Sequence, residues 1–198
     1  MQKTITYLEN LKNTVEQIIA TIETITDKHP ATQLATRPSP EKWSVLDTLE
    51  HLNLYGDFYL PLFEQTIERG VRRGLQARAM YKPGWLGSYF AHSMRPKEGK
   101  ISNQMKTFKS KDPVLTSVPD NVIDRFREQQ QRMLHILERA QRTDIQQLRI
   151  PTTLGSFPKI RLGDGFDFFI AHEERHMLQI QRTLESLGLE LKPALRWG

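Results

Sequence analysis

Residues 164–188 read DGFDFFIAHEERHMLQIQRTLESLG. Phe166, Phe169, Ile170, Met177, Ile180, Leu184 and Leu187 fall on the three- and four-residue repeat that lines one side of a helix. A helix is predicted from near Asp164 to Gly188, whose glycine can close it. An apolar stripe of this length needs others to bury it, and the chain supplies three. From Tyr7 onward, Leu8, Leu11, Val15, Ile18, Ile22 and Ile25 give a first helix that ends before His29-Pro30. After the linker Arg37-Pro38-Ser39-Pro40, Ser44 can cap a second, with Asp47 three positions on in a capping-box arrangement. Its apolar face is Val45, Leu49, Leu52, Tyr55, Tyr59, Leu62 and Phe63, and Gly70 and Gly74 interrupt the pattern after about Glu68. Following Pro119-Asp120, Val122, Ile123, Phe126, Met133, Leu134, Leu137 and Ala140 predict a third, to about Arg142. No segment alternates convincingly as a strand, and Leu148–Ile160, with two prolines, reads as a short extended connection. The prediction is an all-α four-helix bundle.

The 198 residues, 38 % hydrophobic and 26 % charged, suit one domain over 1–198 with a substantial core. There is no cysteine, which excludes disulfides, thiolate metal sites and a cysteine nucleophile. The first residues space their apolar side chains apart, unlike a secretion signal, and no stretch approaches the roughly 18 uncharged residues of a membrane span. A soluble cytoplasmic protein with no membrane partner is expected.

The net charge of +5 is unevenly spread. Between Arg69 and Lys111 stand eleven Lys and Arg against the single acid Glu98, a local +10 that leaves −5 for the rest. The surrounding stretch, Gly70 to Val118, is rich in Pro and Gly and too long for a plain loop, so it reads as a functional excursion with a short helix near Leu86–His92. Its length, charge and aromatics predict a lid or dimer element whose removal leaves a folded helical core. Tyr81, Trp85, Tyr89 and Phe90 among the cations also fit a nucleic-acid groove, but no recognised reading motif is present and the remaining charge is acidic. Nucleic acid is the weaker reading.

His172 and His176, four apart on the last helix, put two imidazoles on one side, one turn above the other. This is either the spacing of two metal ligands or that of two ordinary surface histidines. Both lie at the edge of the apolar stripe, and His51 occupies the same kind of edge on the second helix. If those helices are neighbours, the three rings can converge as an open metal site. The string His172-Glu173-Glu174-Arg175-His176 also satisfies the zinc-protease pattern. The extended form of that pattern needs a histidine where Arg182 stands, and the framing sheet is missing.

The pieces Glu41-Lys42-Trp43-Ser44-Val45-Leu46-Asp47-Thr48-Leu49-Glu50-His51-Leu52 and His172-Glu173-Glu174-Arg175-His176-Met177-Leu178-Gln179-Ile180 resemble the two motifs of the DinB/YfiT-like superfamily. The resemblance implies an up-down-down-up bundle binding a divalent ion, with His51, His172 and His176 as ligands. It also implies a frequent homodimer and, in some relatives, transfer or isomerisation dependent on a low-molecular-weight thiol. Three imidazoles suit zinc, nickel and iron alike. Such an ion would activate water or a small external thiol on a small-molecule substrate, giving a transferase or hydrolase. The alternative is a non-catalytic, stress-related metal or interaction module.

Glu173 falls inside the apolar stripe, where an unpaired carboxylate is costly, so a partner is expected in a metal-shell imidazole or a nearby Arg. Tyr55, one turn after His51, is a candidate donor to a bound oxygen or a core tyrosine at the rim. Trp43 reads as a plug across the bundle end or a pocket wall. His29, His92 and His135 are expected to be structural or solvated.

Overall fold

The computed structural model describes residues 1–101, 107–153, 155–189 and 197. Its elements are β1 (Gln2–Lys3), α1 (Thr4–Lys28), α2 (Ala31–Leu34), α3 (Val45–Arg72), β2 (Met80–Tyr81), α4 (Trp85–Met94), a 3₁₀ turn (Lys109–Lys111), α5 (Pro113–Thr116), α6 (Val122–Ala140), β3 (Arg149–Thr152), β4 (Gly155–Arg161) and α7 (Leu162–Ser186). The four long helices α1, α3, α6 and α7 form the bundle.

Side-chain pairs fix their directions. Along α3 and α6 the ion pairs Glu50–Arg125, Glu64–Arg132 and Glu68–Arg139 advance together, so these neighbours are parallel. Lys12 meets Glu138 while Thr26 meets Arg127, so α1 and α6 are antiparallel. Phe63 packs on Phe166 and His51 on His176, so α3 and α7 are antiparallel too. The order is up-down-down-up, with α1 and α3 on one diagonal and α6 and α7 on the other.

A parallel pair needs a long return, and the excursion is that crossover. It is part of the bundle core and not the dispensable segment expected. β2 pairs antiparallel with β1 at the bundle end, α4 then packs along α7, and Tyr81, Ala91 and Met94 are buried in the core. Arg95 bonds both Asp167 (2.7 Å) and Glu174 (2.7 Å) of α7, tying the crossover down further. Lys106 of the basic run lies outside the described residues.

Four other expectations need adjustment. The stretch after Leu148 is an antiparallel hairpin of β3 and β4 and not a bare connection. Helix α3 passes through Gly70 to Arg72, and α1 begins at Thr4. The short helix of the excursion, Trp85–Met94, is longer than the Leu86–His92 predicted.

Two apolar clusters fill the bundle. One holds Tyr59, Phe63, Met133, Phe166 and Phe169, the other Ile22, Leu49, Leu52, Phe126, Met177 and Ile180. On α3, α6 and α7 the seam between them falls at one level, and there the chain places polar side chains: His51, Gln130, His172, Glu173 and His176, all buried.

Candidate metal centre

Ser44 starts α3 with the capping box read from the sequence: its hydroxyl accepts from the Asp47 amide (3.0 Å) and Asp47 accepts from the Ser44 amide (2.8 Å). Arg37 closes on the same carboxylate with bonds of 2.6 and 2.7 Å. Burial opposes ionisation of Asp47, but the Arg37 and Ser44 donors outweigh it and hold its carboxyl below the usual value. The helix start is thereby fixed, and with it His51, about two turns further in. His172 and His176 project from the middle of α7.

The three imidazoles meet. His172 Nε2 lies 3.3 Å from His51 Nε2 and 3.1 Å from His176 Nε2, and one ligand atom from each ring lies within 4.8 Å of the other two. For a tetrahedral ion with metal–nitrogen bonds of about 2.0–2.1 Å, adjacent ligand nitrogens sit about 3.3 Å apart.

Proton accounting supports the fit. His51 Nδ1 lies 2.7 Å from the carbonyl oxygen of Lys111 and must donate to it. His176 Nδ1 lies 2.9 Å from Gln179 Oε1 and donates likewise. In neutral rings both Nε2 atoms are then bare lone pairs. Both face His172 Nε2, which can offer one proton at most, and His172 Nδ1 is buried without a hydrogen-bond partner. Burial, the leading cause in each case, keeps the rings neutral: it brings His51 down to about 4 and holds His172 and His176 well below the usual imidazole value. Converging lone pairs in a buried, uncharged cluster are what a divalent cation satisfies.

Around the rings, Trp43 lies tilted at 4.8 Å from His51 and stacks at 6.2 Å from His176. Tyr55 lies 5.0 Å from His51 and 4.5 Å from His172, and the next tyrosine along α3, Tyr59, accepts from the Thr153 amide at the hairpin turn. Glu173 meets neither of its expected partners; its carboxyl accepts from Gln130 Nε2 at 2.6 Å across the bundle. Burial pushes that carboxyl up to about 8. A group so engaged on α6 is not placed as the base of a zinc protease. His135 and His92 are exposed, and His29 bonds Gln33, away from the cluster.

Residues 14–180 match the DinB superfamily. The chain belongs to that family. Among solved structures, this DinB chain is similar to YfiT from Bacillus subtilis, a probable metal-dependent hydrolase with an unusual four-helix bundle topology. The two share 14 % identity with a TM-score of 0.56, over 91 % of this chain and 87 % of that one. At that identity the likeness is one of fold. No curated protein matches the sequence.

Lys111, Gln179 and Gln130 were not among the residues singled out from the sequence. Gln179 alone left a trace, three positions after His176 on the same helix face.

Proposed function

We propose that this DinB protein is a metal-dependent enzyme holding one divalent ion, zinc, nickel or ferrous iron, on His51, His172 and His176. The observation that carries the reading is the convergence of three buried Nε2 atoms with one proton at most to share among them. A bound divalent ion supplies Lewis acidity, which lowers the pKa of water or of a small thiol into the neutral range. The protein's part is to hold the rings. The Lys111 carbonyl and Gln179 fix two of them with Nε2 bare, and Trp43 and Tyr55 wall the cluster.

The substrate is a small molecule, and the reaction is hydrolysis or transfer to a low-molecular-weight thiol. With no cysteine in the chain, any sulfur nucleophile comes from that external thiol. The role given to YfiT favours the hydrolytic form. The test is elemental analysis of protein purified without a histidine tag, then turnover of ester, amide and alkylating substrates with and without added thiol. One equivalent of metal with metal-dependent turnover is expected. Turnover that survives complete chelation overturns the reading.

A further inference from the structure

The crossover's charge is divided by the fold. Arg95 is consumed by Asp167 and Glu174, and Lys111 turns to the histidine end, where its ammonium bonds the Leu54 carbonyl. Arg69 to Lys82 instead stay at the opposite end of the bundle, where the sequence alone did not show that other cations join them. The hairpin brings Arg149, Lys159 and Arg161, and the end of α6 brings Arg139 and Arg142. Residues 1–5, 68–84, 139–150 and 159–164, which meet at this end, carry eleven Lys and Arg against three acids, a net +8 that leaves −3 for the rest. Asp144 and Asp164 are buried, and Glu68 is paired with Arg139. Arg72, Arg73 and Arg142 are exposed and have no acid partner among the described residues.

The same end carries exposed apolar side chains. Trp85 is 83 % exposed and Ile5 57 %, with Val71, Met80 and Tyr89 also in water. They are interleaved with the cations. Met80 pairs across the ladder with Lys3, and Ile5 follows Thr4, which bonds Arg78 and Ala79. Trp85 stands three residues after Lys82, whose carbonyl takes the Arg161 guanidinium. Val71 and Ile67 line a 240 Å³ cleft with Arg72, Arg139, Arg142 and the Arg139-paired Glu68.

We propose that this basic, apolar-studded end docks the protein on an anionic lipid bilayer. Cations draw an anionic surface from the aqueous side, at an energy that accumulates with each Lys or Arg near the headgroups. Trp and Tyr favour the headgroup level, and short aliphatic side chains gain from the acyl boundary beneath it. A nucleic acid matches the cations and the two rings but gives nothing to Ile5, Val71 and Met80. No described helix is long and apolar enough to cross a membrane, so the association is peripheral. From Arg72 to His51 is 21 residues of helix, about 30 Å, so the docked protein keeps its histidine cluster away from the lipid.

The test is co-sedimentation of the full chain with vesicles of phosphatidylglycerol and phosphatidylcholine in about equal parts, against phosphatidylcholine alone, at about 50 mM and about 0.5 M salt. Binding is expected to the anionic vesicles at low salt only. The triple variant Arg72→Glu, Arg73→Glu, Arg142→Glu should weaken it by about a hundredfold. Trp85→Ala with Tyr89→Ala should weaken it while leaving the salt dependence in place. All five positions are exposed, and circular dichroism and thermal melts check that the variants fold. Absence of binding at low salt, equal binding to both vesicles, or unchanged binding by both variants overturns the proposal. Capture of a single-stranded oligonucleotide with no vesicle binding overturns it in favour of a nucleic acid.

Discussion

The Nδ1 atom of His51 lies 2.7 Å from the carbonyl oxygen of Lys111, a residue sixty positions further along the chain. The crossover that lets α3 and α6 run parallel thus also sets the tautomer of one imidazole in the cluster. Lys111 is anchored in turn on α3, where its ammonium bonds the Leu54 carbonyl. Topology and candidate chemistry share one segment.

Replacing His51, His172 or His176 by Ala should remove most bound metal while keeping helical content, because the surrounding apolar clusters are untouched. His135→Ala, exposed on α6, should retain the wild-type stoichiometry. Elemental analysis reads both. Stoichiometric metal in the double variant His51→Ala, His176→Ala sinks the ligand set.

Chelation should lower the melting temperature reversibly. An ion present at a hundred times its dissociation constant adds about 2.7 kcal/mol to the native state. For a chain of this size that corresponds to roughly 5–10 °C. A melt that does not move on adding and then titrating out a chelator contradicts a native-state ion.

In the chelated protein, His51 contributes a pH dependence of definite sign. Burial lowers its pKa to about 4, whereas the unfolded chain titrates it near 6.5. Between these values the unfolded state binds a proton that the folded state does not, so stability is full above about 6.5 and lost as the pH falls through 4. The loss from His51 alone is of order 3 kcal/mol. The difference between wild type and His51→Gln in urea unfolding from pH 7 to pH 4 should show this slope, since His172 and His176, which act in the same direction, and Glu173, which acts in the opposite one, are common to both.

Gly56 leaves room on α3 for the Gln129 side chain of α6: a Cβ there would lie 2.0 Å from Gln129 Oε1 and 2.6 Å from its Cδ. Gln129 cannot easily yield, since its amide donates to Asn53 O (3.1 Å) and Asp57 Oδ1 (2.9 Å). Gly56→Ala should therefore cost about 1–3 kcal/mol in denaturant unfolding. Adding Gln129→Ala should recover part of it; full additivity of the two costs would show that the contact is not the cause.

Tyr81, fully buried in the crossover, stacks on Tyr7 at 4.5 Å and donates its hydroxyl to Asp164. Tyr81→Ala should cost about 3–5 kcal/mol. Deleting residues 71–111 should abolish cooperative unfolding, the reverse of what the segment's composition predicts. A cooperative melt in the deletion would restore the lid reading.

The helices were legible because apolar repeats survive in a single sequence. The histidines were legible because they sit at stripe edges at ligand spacing. What escaped were relations that leave no residue-level pattern. A backbone carbonyl such as that of Lys111 has no signature, and Gln130 is one glutamine among several until α6 and α7 are placed on a diagonal. Gly70 reads as a helix stop, yet α3 continues through it, and the glycine answers to packing: a Cβ there would meet Thr143 Oγ1 at 2.4 Å. The hairpin was hidden by Pro151 and Pro158, which blur strand alternation. The basic end was invisible because its cations come from segments far apart in the chain.

The parallel pairing of α3 and α6 also governs how the chain can fold. In an up-and-down bundle each helix finds its partner by folding back as a hairpin, and such local closure is fast. Here no long helix has that option: α1 and α3 are diagonal, α6 and α7 are diagonal, and α3 reaches α6 only after the crossover has run the length of α7. Every major helix interface closes a long loop, and the histidine cluster closes one of 121 residues. Refolding should accordingly be slow for an all-helical protein, with the ion arriving after the rate-limiting step and changing the unfolding rate more than the folding rate.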